Sequence, residues 1–308
     1  MVPEFEYVGD FSHGMADVLR RGLWGSIDRF GKIQIEPQFE AVRPMEEGLI
    51  ACCSDGIWGF VDWSGQSIIP SAFEEAYSFA EGLAVVGTSA GWLAIDHQGK
   101  PRWDFDGMEL TSFSEGLAPA CKSGRWGFVD TKGREAVPFR YEGVDWFSEG
   151  LARVTIDAKM GYIDRQGSIA IVPKYDYAAP FEMGIARAET AESRGYIDSS
   201  GLMFLESSAT EFRPFSEGLA AFANGGPYGF MDSRGCVVIG EEFDAVGSFN
   251  EGLASVSLDG RWMFVDPMGH RLLEMDVDEA YEFYEGLARV RKGTNWNYVD
   301  RRGRSLWT

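Results

Sequence analysis

One pattern recurs nine times in 308 residues at a fixed step of 34, with no insertion or deletion. Its register can be read off one glycine (Gly14, Gly48, Gly82, Gly116, Gly150, Gly184, Gly218, Gly252, Gly286) and one aspartate (Asp28, Asp62, Asp96, Asp130, Asp164, Asp198, Asp232, Asp266, Asp300), with a second glycine three residues after each aspartate. A step of 34 also suits helical hairpin repeats, so helices must be excluded on chemistry. Two fixed glycines, and usually a third, leave no ten-residue stretch for a helix, because each interior glycine costs about 1 kcal/mol against alanine. The repeats are therefore strands and turns. A gapless array without a linker reads as one domain over 1–308.

The fifth repeat gives the elements. Ala152, Val154 and Ile156 alternate with Arg153, Thr155 and Asp157, the period-two signature of a half-buried strand. A second strand follows from Met160 to Asp164. The aspartate and glycine of Asp164-Arg-Gln-Gly167 then close a turn, the first by accepting amide hydrogen bonds and the second by adopting positive φ. Ile169 to Val172 makes a third strand that ends at Pro173, and a short piece, Tyr175 to Tyr177, leads to the next Phe-x-Glu-Gly. The fourth repeat's Trp126-Gly-Phe-Val129 is apolar on both faces, so neighbouring sheets are expected to stack, with Gly127 admitting a neighbour's aromatic. The expected fold is all-β: nine small antiparallel meanders stacked as an open solenoid. The alternative is a closed propeller-like ring, disfavoured because propeller blades usually exceed this length and number four to eight.

The strings Trp24-Gly25, Trp58-Gly59 and Trp126-Gly127, each followed by an aromatic or small residue, an aliphatic and Asp, resemble the WG-repeat family of bacterial proteins along essentially the whole chain. Relaxed forms stand at Met160-Gly161, Arg194-Gly195 and Tyr228-Gly229. At Trp92-Leu93, Trp262-Met263 and Trp296-Asn297 the glycine is lost, so the close backbone approach it allows is not expected there. The resemblance implies a β-rich interaction module rather than an enzyme, of a kind that in some cases accompanies bacterial toxin systems.

Net charge is −20, and it is concentrated. The twelve residues of each repeat equivalent to Val2–His13 hold 32 of the 48 acidic residues and only four basic ones, Arg43, Arg140, Lys174 and Arg213. Stacking predicts one acidic edge that attracts a basic protein and repels nucleic acid. The turn glutamates Glu47, Glu81, Glu115, Glu149, Glu217, Glu251 and Glu285 belong to it, with His13 and Met183 as exceptions. Each is read as making a local turn hydrogen bond or contacting a partner. Trp146 and Trp63 occupy positions that are polar or proline in other repeats, which makes them contact candidates.

Nothing in the pattern calls for a metal, a cofactor or catalysis. The Asp-x-x-Gly ladder reads as turn capping rather than a calcium site, and His13, His97 and His270 fall at unrelated positions. Cys52, Cys53, Cys121 and Cys236 form no C-x-x-C, and Cys52 replaces the valine of other repeats. With no basic-then-apolar start in Met1–Asp10 and no membrane-length apolar run, a cytoplasmic monomer without membrane insertion is expected. The functional expectation is a non-enzymatic scaffold for a basic protein, in its specific form an immunity-type inhibitor of a toxin. The alternative is a carbohydrate or cell-envelope binder using Trp63 and Trp146.

Overall fold

The computed structural model describes residues 4–206 and 211–307. They fall into two compact units, Met1–Phe39 with Ser207–Thr308, and Glu40–Glu206. Among the described residues there is no helix, and the strands form eight four-stranded sheets and one three-stranded sheet, each an antiparallel meander of one repeat. Among the described residues no helix is long and apolar enough to cross a membrane.

The first repeat sets the plan: β1 (Tyr7–Val8), β2 (Met15–Arg20), β3 (Leu23–Asp28) and β4 (Ile33–Phe39). A two-residue turn, His13–Gly14, closed by the Ser12–Met15 bridge leads into β2, and another, Arg21–Gly22, joins β2 to β3, both with positive φ at both residues, the geometry that matches strand twist. The turn between β3 and β4 is held as expected: Asp28 Oδ1 accepts the Phe30 and Lys32 amides at 2.9 and 3.0 Å. The same pair of bonds recurs at the other eight aspartates.

The glycine of the Trp-Gly pair serves its own repeat. A Cβ on Gly25 would lie 2.4 Å from the Ile35 carbonyl oxygen, and on Gly127 2.6 Å from that of Val137. In both repeats the register to the fourth strand shifts around the glycine. The close approach is thus backbone on backbone at a bulge, where a neighbour's aromatic was expected. At Leu93 and Met263 the pairing instead runs straight through to Asp104 and Glu274. Losing the glycine goes with losing this bulge.

Joints between repeats are built by Phe-x-Glu-Gly. Its phenylalanine packs on the third-strand aromatic of the preceding repeat, with ring centroids 4.6–5.0 Å apart in Phe60–Phe79, Phe128–Phe147, Tyr162–Phe181, Phe230–Phe249 and Phe264–Phe283. The serine, where present, donates to the next phenylalanine's carbonyl, as Ser148 does to Phe181 at 2.6 Å. The turn glycine after Asp-x-x also touches its neighbour: Gly133 lies against Trp103, and Gly31 against Trp307, so both tryptophans occupy joints between repeats. Cys52 is buried at 4% exposure, and burial beside Cys53 pushes its thiol up to about 11.

The same joint links the last repeat to the first. Tyr298 and Phe11 pair at 4.8 Å, and Glu285 accepts the Gly14 amide at 2.9 Å. Repeats at opposite ends of an open array cannot meet this way, so the open solenoid is corrected in favour of the propeller-like alternative. Two-residue turns let a complete four-stranded meander fit into 34 residues, fewer than propeller blades usually take.

Phe147→Ala should cost roughly 3–5 kcal/mol in urea unfolding. Phe11→Ala, next to the N-terminus in sequence, should cost as much, because its ring sits in an equivalent joint. A loss much smaller at Phe11 than at Phe147 would contradict the first-to-last joint.

Candidate interaction surface

The seven turn glutamates all have φ between 50° and 56°, in the left-handed region that such turns usually give to Asn, Asp or Gly. Their carboxylates reach across to the following repeat rather than making the local turn bond expected. Glu47, Glu81, Glu115 and Glu149 accept the amides of Gly82, Gly116, Gly150 and Gly184 at 2.6–3.1 Å. Glu217, Glu251 and Glu285 accept those of Gly252, Gly286 and Gly14 at 2.8–3.0 Å. Basic side chains from the Asp-x-x-Gly turns join them. Arg29 donates to the Glu285 carbonyl at 3.1 Å, Arg165 to that of Glu115 at 2.5 Å, and His97 lies 3.1 Å from Glu47. The two turns lacking glutamate, at His13 and Met183, belong to the repeats after which the chain passes from one compact unit into the other.

The acidic window does not collapse onto a single edge. It spans the two-residue first strand and the segment that carries on along the sheet edge to an isolated bridge: Ala41 pairs with Cys53, whereas Glu46 bridges to Leu49. The window's two ends therefore stand roughly 17 Å apart, the length of a six-residue strand. At the far end from Glu47, acids cap the hairpin between the second and third strands. Glu40 accepts the Gly56 amide at 2.9 Å, and Glu142 accepts those of Asp157 and Ala158 at 3.2 and 3.1 Å.

Trp146 and Trp63 are exposed, at 54% and 57%. Trp146 stands at a groove of about 490 Å³ within the unit Glu40–Glu206, lined also by Tyr77, Phe113, Trp126, Pro119 and Val144. Asp145 lines the same groove; it accepts the Trp146 amide at 3.1 Å and pairs with Arg153 at 2.9 Å. Thr111, Ser112 and Ser114 add hydroxyls. Trp63 lies in a turn three repeats earlier and does not line this groove. The phase break at Trp146 points to the place, whereas Phe113 and Trp126 follow the repeat pattern and Tyr77, Thr111 and Pro119 stand at positions that vary between repeats, so none of them marks a groove in the sequence.

The model for the WG containing repeat matches residues 3–24, 24–56, 58–88, 126–159, 160–190, 228–262 and 262–296. This chain belongs to the WG-repeat family. No curated protein matches its sequence. Among solved structures, the WG-repeat chain is similar to the crystal structure of the eukaryotic initiation factor, at 13% identity over 92% of both chains with a TM-score of 0.61, a likeness of fold. It also aligns with the extracellular domain of a putative one-component system from B. thetaiotaomicron, at 12% identity over 98% of this chain and 53% of that one, with a TM-score of 0.35.

Two predictions concern these carboxyl groups. Glu149→Ala should cost roughly 1 kcal/mol, the net worth of one hydrogen bond, whereas Glu149→Asn, better suited to the turn, should be closer to neutral. Both are read by urea unfolding. Burial pushes the carboxyl of Asp17 up to about 6, and it has no hydrogen-bond or ion-pair partner among the described residues. Its folded value lies above its ordinary one, so its contribution to stability is full below about pH 4 and is lost as pH rises through about 6. Asp17→Asn should therefore melt higher than the parent at pH 7.5, with the gap closing by pH 4.5.

Proposed function

We propose that this WG-repeat protein is a non-enzymatic scaffold that binds a basic protein through the Trp146 groove, with inhibition of a basic toxin as the specific form to test. The observation that carries this reading is Trp146 itself: a half-exposed indole beside Asp145, on a groove that crosses three consecutive repeats. Large aromatics at the rim of a preformed groove are the usual anchors of protein recognition. A net charge of −20 adds long-range attraction for a basic partner and speeds encounter.

A second reading has one observation in its favour. Ser112 lies in the same groove as Trp126 and Trp146, together with Thr111 and Ser114, whose hydroxyls donate to the Pro119 and Phe147 carbonyls and keep their oxygens as acceptors, a combination also suited to a sugar ring. The two readings part on salt, because screening weakens charge attraction and leaves stacking and burial largely intact.

Capture from cell lysate by the parent protein and by Trp146→Ala, at low and high salt, tests both. The scaffold reading expects a basic protein that the parent retains at low salt, releases at high salt, and that Trp146→Ala fails to hold. Glycan retained at both salts would support the second reading. A basic protein held equally by parent and variant would remove the groove from the account.

A further inference from the structure

Joints in this molecule repeatedly hold a guanidinium at one place, beside the third strand of one repeat and near the first strand of the next, partly buried at Arg43 and Arg289 and exposed at Arg213. Arg43 stacks on Trp58 and Tyr77 at 5.1 and 5.0 Å and donates to the Ala76 carbonyl at 2.6 Å. Arg213, at the same position five repeats on, faces Tyr228 at 5.7 Å and donates to the Val246 carbonyl at 2.8 Å. Arg289 reaches the equivalent place from the second strand. It lies 6.0 Å from Trp296 and 4.0 Å from Tyr281, pairs with Asp10 at 2.8 Å, and donates to the Val8 carbonyl at 3.3 Å. Arg153, also from the second strand, binds Asp145 at 2.9 Å and meets the sulfur of Met160 at 3.4 Å. Each site combines a third-strand side chain with a carbonyl or carboxylate, a chemistry fitted to a planar cation.

The joint between the fourth and fifth repeats keeps the third-strand tryptophan, has Asp145 where the Arg43 site has Tyr77, and lacks the cation. Trp126 is the equivalent of Trp58, and Val144 of Ala76. Both positions that supply arginine elsewhere are changed: Thr111 stands where Arg43 and Arg213 stand, and Pro119 where Arg153 and Arg289 stand. Thr111 turns back to donate to the Pro119 carbonyl at 3.3 Å. The space left is the Trp146 groove, about 490 Å³.

We infer that this groove receives an arginine side chain from the basic partner, its guanidinium stacking on Trp126 and donating toward the Val144 carbonyl, with Trp146 covering its stem. The inference rests on the scaffold reading and specifies the group recognised. Arginine is favoured over lysine because the sites built into the molecule use a planar, multiply donating head that stacks, which an ammonium does not reproduce. Asp145 is already paired with Arg153, so stacking and the carbonyl carry the recognition more than net charge does.

The test titrates the full chain, with ¹⁵N-labelled tryptophan, with three otherwise identical uncharged peptides carrying arginine, lysine or citrulline at the centre. The arginine peptide should shift the indole resonances of Trp126 and Trp146 and bind at least tenfold more tightly than the citrulline peptide, with lysine between. Thr111→Arg should abolish the shifts while folding as well as the parent, because it installs the side chain that the joint around Arg43 already contains. Equal binding of arginine and citrulline, no binding of any peptide, or unchanged binding in a folded Thr111→Arg protein would each overturn the inference. The scaffold reading is judged separately: a basic protein captured through Trp146 without any arginine-peptide binding leaves it standing, and arginine-peptide binding without a captured protein counts against it alone.

Discussion

Each Phe-x-Glu-Gly turn holds a glutamate in the left-handed region, where a β-carbon is unwelcome, and the compensation comes from outside the turn. The carboxylate accepts the glycine amide of the next repeat's turn, and the phenylalanine two residues earlier packs on an aromatic of the preceding repeat. Local preference would favour asparagine in place of the glutamate. Keeping glutamate gives up some turn stability for a bond between sheets. The hydrogen bond is exposed and modest, whereas the aromatic pair removes large apolar surfaces from water, so the ring sets the strength of the joint and the carboxylate its register.

That division of labour explains why the array returns to its own start. A joint made of one ring pair and one carboxylate–amide bond needs only that consecutive sheets present the same two groups in the same relation. The ninth repeat offers Tyr298 and Glu285, and the first offers Phe11 and Gly14. These residues keep the common phase, so the sequence contained the information. Reading it required knowing that the conserved spacing served contacts between repeats, and no single repeat reveals that.

Strands and turns were legible because their causes are local: alternation of apolar residues, an aspartate able to accept its own following amides, a glycine at positive φ. The strand end expected at Pro173 is corrected, since Ile169–Tyr175 runs through that proline. The role of the Trp-Gly glycine was misread for a related reason. Both readings require a missing β-carbon, and only coordinates distinguish the Val137 backbone from a neighbour's ring as the atom that comes close to Gly127. The acidic window forms no single edge because Glu40 and Glu47, both within it, lie at opposite ends of the same sheet. Trp146 was recognisable because it breaks the phase of the repeat. The groove beside it was not, since Phe113 and Trp126 obey that phase and Tyr77 stands at a position that varies from repeat to repeat.

A repeat protein can change only where its joints tolerate change, and here those places form a layer. The ring pair, the glutamate and the turn glycines recur at joint after joint, while the positions of Arg43, Thr111 and Arg213, and of Pro119, Arg153 and Arg289, do not. Around them a joint can be filled by a guanidinium from the first strand, by one from the second, or left open as at Thr111 and Pro119. Because Phe147 and Glu115 hold the fourth and fifth repeats together independently of that layer, the opening need not unfasten the sheets. Recognition can thus arise by omitting a side chain from a place the fold already shapes for a cation, with no new loop and no strained backbone required.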